Sequence, residues 1–86
     1  MYLSLGANTV VRDADIIGIF DLDITSQSYR TRQFLRTAEE RGEVESATDD
    51  LPKSFVLCYS ERQRVILAQP NSTTIAKRAT RAVNSE

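Results

Sequence analysis

Hydrophobic and polar positions near the start of the chain follow a period of two. Tyr2-Leu3-Ser4-Leu5 alternates, Gly6-Ala7-Asn8 interrupts, and Thr9-Val10-Val11 is β-branched. This pattern predicts a first β-hairpin, with Gly6 and Asn8 tolerating the positive φ of a tight turn. After the polar break Arg12-Asp13-Ala14-Asp15, the run Asp15-Ile16-Ile17-Gly18-Ile19-Phe20 reads as a buried strand. Gly18 within it would admit a close backbone approach from a neighbour.

The period then lengthens. Asp21-Leu22-Asp23-Ile24-Thr25-Ser26 is a loop rich in capping residues. Thr31, Phe34, Leu35 and Ala38 recur at helical spacing, which predicts a helix from about Ser26 to Arg41. Gly42 ends it, because a left-handed C′ position favours glycine. Arg32 and Arg36 stand one turn apart on this helix, and Arg36 and Glu40 can pair at i,i+4.

Glu43-Val44-Glu45-Ser46-Ala47 is a weak alternating strand, and Thr48-Asp49-Asp50-Leu51-Pro52 is a turn. Pro52 lacks an N–H, so the next strand begins after it. Phe55–Tyr59 and Arg64–Ala68 form the strongest strand pair, joined across Ser60-Glu61-Arg62-Gln63. Pro70-Asn71-Ser72 stops the second of them and offers a cap. A short last helix follows, apolar at Ile75, Ala79, Ala82 and Val83 and basic at Lys77, Arg78 and Arg81. The predicted class is α+β, an antiparallel sheet of short strands and hairpins covered by one main helix, with a short C-terminal helix.

Composition changes the picture in three ways. With 86 residues, one domain spans 1–86, and residues after about Ala79 are expected as an extension that frays. A domain of this size buries only about 60–65% of its unfolded surface, so self-assembly is a common remedy. No apolar run approaches the ~20 residues of a membrane span. Met1 leads into a strand-like segment without a basic n-region, so no signal peptide is expected.

Charge is divided unevenly. Residues 1–50 hold five basic and ten acidic side chains, a net of −5, and residues 51–86 hold six and two, a net of +4. Such a split can mark a nucleic-acid-facing end or a head-to-tail fit between identical subunits. Two solvated faces would produce it equally well.

Candidate chemistry is sparse. There is no histidine and one cysteine, Cys58, so Ser-His-Asp and Cys-His arrangements are impossible. Cys58 reads as a small buried hydrophobe, and a single cysteine suits a reducing compartment. Gly6, Gly18 and Gly42 lie too far apart for a phosphate loop. The pairs Asp13/Asp15 and Asp21/Asp23 could hold a hard cation, but turn closure and helix capping account for them better. No cofactor, metal or small-molecule substrate is expected. Arg30, Arg32 and Arg36 on the main helix, with Lys77 and Arg78 on the last, are candidates for phosphate contacts. No helix-turn-helix, ribonucleoprotein or zinc-finger pattern accompanies them.

Several segments then occur in a recognisable order: Leu3 to Val11, Asp15 to Phe20, and the helix ending Glu39-Glu40-Arg41-Gly42. Pro52-Lys53-Ser54-Phe55-Val56-Leu57, Val65 to Pro70 and Ser72 to Arg78 follow. Together they resemble the bacterial extracellular-matrix regulatory proteins of the RemA/RemB type over about residues 1–79, with the RemB-like branch closest. The resemblance implies a cytoplasmic, non-enzymatic regulator of biofilm-matrix genes. In the RemA branch it implies ring-forming subunits that bind double-stranded DNA along a basic rim. A Gly-Arg-Arg turn of that branch, implicated in DNA contact, reads Asp50-Leu51-Pro52 here, after Asp49, and another of its basic positions is Asp15. Only Lys53 remains there as a cation and a DNA-contact candidate. Two readings stay open: a self-assembling DNA-binding transcriptional regulator, and an oligomeric protein–protein interaction module without direct DNA contact.

Overall fold

The computed structural model describes residues 2–6, 9–22 and 28–84, the last five by backbone alone. Strands β1 (Tyr2–Gly6) and β2 (Thr9–Arg12) form an antiparallel two-stranded sheet. A 3-10 turn (Asp13–Asp15) leads to β3 (Ile16–Asp21). Helix α1 (Tyr29–Glu40) and strand β4 (Val44–Ser46) follow. Strands β5 (Ser54–Tyr59) and β6 (Gln63–Ala68) and helix α2 (Ser72–Asn84) complete the order. The main sheet is four-stranded, β3-β5-β6-β4.

The α+β class matches the pattern in the sequence, and two features sharpen it. β4 runs parallel to β6, pairing Val44 with Val65 and Ser46 with Leu67. The sheet is covered on both faces. Successive side chains of a strand point to opposite faces. Phe55, Leu57, Val65 and Leu67 therefore pack under α1 with Phe34, Leu35 and Ala38. Val56, Cys58, Ile66 and Ala68 face the other way, against Leu3, Leu5 and Val11 of the hairpin and Ile75 and Ala79 of α2. A strand buried on both faces needs an unbroken apolar run, and β5 and β6 have one.

Local chemistry sets the boundaries. Gly42 has φ +70° and follows the last turn of α1, where its N–H donates to the Glu39 carbonyl. Asn71 caps α2, its Oδ1 accepting from the Thr74 N–H at 2.9 Å. Gly6 lies against Ala47, the residue after β4, and a Cβ there would sit 2.3 Å from the Ala47 carbonyl oxygen. Gly18 serves a different purpose from the backbone approach its position suggested. The ring of Phe20 folds over it, and a Cβ would meet that ring at 2.6 Å. The expected tight turn at Ala7 and Asn8, the capping residues Asp23 to Ser26, and Ser85 and Glu86, the last two residues of the extension expected to fray after about Ala79, lie outside the described residues.

Candidate functional site

The predicted basic residues divide among separate surfaces. α1 and α2 lie on opposite faces of the main sheet, so Arg30, Arg32 and Arg36 do not share a surface with Lys77 and Arg78. Lys53 immediately precedes β5. Its backbone is fixed on both sides, the N–H donating to the Ala68 carbonyl and the carbonyl accepting from the Leu22 N–H, each at 2.9 Å. Its side chain is exposed.

On α1 the arginines separate further. Arg32 and Arg36 line one open groove of about 480 Å³ with Tyr29, Gln33, Thr37 and Glu40. These residues are spaced three and four apart, so they form one outward stripe of the helix. Tyr29 is 71% exposed. An exposed aromatic ring, two guanidinium groups and an amide on one helix face form a set able to meet phosphates, sugars and base edges. Arg30 turns about 200° away from Arg32, given roughly 100° per residue. It borders a second hollow with Phe20, Thr31, Phe34, Phe55 and Leu57.

Arg78 reaches the other end of the chain. Its Nη1 lies 3.5 Å from the Ser4 carbonyl oxygen, the outer limit of a hydrogen bond. It also borders a hollow that Asp49 and Asp50 line. The acidic turn itself is braced. Ser46 Oγ donates to the Thr48 carbonyl at 2.7 Å, and the Asp50 N–H donates to Thr48 Oγ1 at 3.0 Å. Leu51 projects from it, 84% exposed.

One ion pair orders the far edge of the sheet. Arg64 Nε donates to Glu45 Oε2 at 2.6 Å and Nη2 to Oε1 at 3.0 Å, a bidentate clamp. It holds the Glu45 carboxyl below its usual range, chiefly through that hydrogen bond. The pair borders an open hollow with Ser60, Glu61 and Arg62. Among the described residues, no three histidine, cysteine, aspartate or glutamate side chains gather to hold a metal. No described helix is long and apolar enough to cross a membrane.

Tyr29, Gln33 and Leu51 were not singled out from the sequence. The i, i+3, i+4, i+7 spacing of Tyr29, Arg32, Gln33 and Arg36 carried the signal for the first two. An apolar residue between two acids and a proline carried it for the third.

The arrangement defines a small α+β domain whose distinctive chemistry lies on surface stripes and shallow hollows. No protein-family profile matches the chain. It is 33% identical over 79 residues to extracellular matrix regulatory protein B of Bacillus subtilis, covering 92% of this chain and 90% of that protein. The chain belongs to the bacterial extracellular-matrix regulatory protein family, in its RemB-like part.

Proposed function

We propose that this chain is a non-enzymatic, cytoplasmic regulator of matrix genes that self-assembles and binds double-stranded DNA through the outward stripe of α1. One observation carries the reading: Arg32 and Arg36 share a face with Tyr29 and Gln33. Two arginines contribute modestly on one copy. Repetition around an oligomer, a ring in the arrangement the resemblance implies, raises avidity without any strong single contact. The family membership supports the regulatory role, since its relative is named for extracellular-matrix regulation.

Fluorescence anisotropy with duplex DNA across a salt series tests this reading. The wild type should bind at low ionic strength, with affinity falling as salt rises. Arg32→Glu with Arg36→Glu should weaken binding at least tenfold and flatten the salt slope by about one unit per lost phosphate contact. Absence of wild-type binding at low salt, or an unchanged slope in the double variant, overturns it.

The acidic turn favours a second reading, an oligomeric protein-interaction module. Asp49 and Asp50 stand exposed where phosphate would be repelled. In that case charge reversal at Asp49 and Asp50 should release protein partners, while DNA binding is absent in the wild type as well.

A further inference from the structure

The hollow beside Arg30 is apolar with a cation at its edge, and the turn carrying Leu51 sets an exposed apolar side chain beside two carboxylates. The hollow lies between α1 and the edge strand β3. Its floor is the stacked pair Phe20 and Phe55, with ring centroids 4.9 Å apart, and its walls are Phe34, Thr31 and Leu57. It has a volume of about 240 Å³. The hollow is open to solvent and large enough in volume for a branched aliphatic side chain to enter. Arg30 places a cation at its rim.

The turn presents the opposite features. Leu51 is 84% exposed, immediately after the carboxylates of Asp49 and Asp50. Bonds among Ser46, Thr48 and Asp50 fix the turn before any partner arrives. The Lys53 N–H to the Ala68 carbonyl anchors its far side. A knob held rigid in advance loses little conformational entropy on docking.

We propose that a second copy of this chain inserts Leu51 into the Phe20–Phe34–Phe55 hollow, with Asp49 and Asp50 meeting Arg30. The proposal rests on the self-assembly part of the reading above and names its interface. Knob and hollow are different patches, so each contact leaves one of each unsatisfied, and the assembly grows, ending as a ring where the rotation between copies closes. Arg30 then serves subunit contact, leaving the Arg32–Arg36 stripe exposed.

Sedimentation of the full chain at several concentrations tests the proposal. The wild type should run above its 9.7 kDa monomer mass. Leu51→Asp should raise the dissociation constant at least tenfold, with Leu51→Met close to wild type. Arg30→Glu should weaken assembly, and adding Asp49→Lys and Asp50→Lys should restore it. Circular dichroism should show every variant folded, since the altered side chains are exposed. If the wild type assembles and Leu51→Asp assembles equally, or if the charge swap fails to restore Arg30→Glu, this interface is wrong while self-assembly stands. A wild type that stays monomeric overturns both.

Discussion

Cys58 sits under the hairpin and α2, 2% exposed, opposite Arg64 on β6 and Ile16 on β3. Burial pushes its thiol up from the ordinary range. A protonated, buried thiol is a poor nucleophile. A thiol reagent should therefore leave the native protein unlabelled at neutral pH and react fully once denaturant is added. Rapid stoichiometric labelling of the folded chain would contradict the packing described here. The linkage has a direction as well. The unfolded thiol ionises first as pH rises, so the contribution of Cys58 to stability is complete below the unfolded thiol range and is lost at alkaline pH. Ser54 illustrates the same rule for a hydroxyl: fully buried, it donates to the Pro70 carbonyl at 2.6 Å.

At the level of elements, β4 is the least self-sufficient, with three residues paired in parallel along one edge. Side chains reinforce it. Glu45 takes both arms of the Arg64 guanidinium, and Gln63 Nε2 donates to Glu43 Oε1 at 3.2 Å. A carboxyl whose folded pKa is depressed stabilises above the unfolded carboxylate range and loses that effect as pH falls through the folded value. Glu45→Gln should therefore cost about 0.5–1 kcal/mol at neutral pH, a magnitude suited to a part-exposed pair. The gap from wild type should close in acid, as urea titrations at neutral and acid pH would show. A difference independent of pH would assign the effect to packing. Most elements were legible because their signals are local: Gly42 for the end of α1, Asn71 for the cap of α2, alternation for β1. The parallel pairing of β4 was not, because nothing within Val44-Glu45-Ser46 specifies the direction of its neighbour. The stripe of α1 was half legible. The spacing of Arg32 and Arg36 placed them together, while Arg30 joined them in sequence but not in space.

Across the whole molecule, the charge split along the chain does not become two opposed faces. Basic side chains occur on both helices, on opposite sides of the sheet, and Arg78 lines the same hollow as Asp49 and Asp50. A count along the sequence could not anticipate this, because the fold places a residue from the second half and acids from the first around one hollow. The second cover of the sheet was legible in one respect only. The apolar runs Phe55–Cys58 and Val65–Ala68 lack the polar alternation of a sheet with one wet face.

The meeting of β1 with α2, where Arg78 approaches Ser4 across 74 positions of sequence, also has a consequence in time. Joining distant segments requires a large loop to close, whereas β5 and β6 are joined by a short turn. The central hairpin is thus suited to form early, and the layer built from the two ends to form last. The same order governs local opening of the folded protein. In native-state hydrogen exchange, the amides of β1 and α2 should exchange through a smaller opening free energy than those of β5 and β6. Equal protection throughout would mean that the two ends and the centre unfold as a single unit.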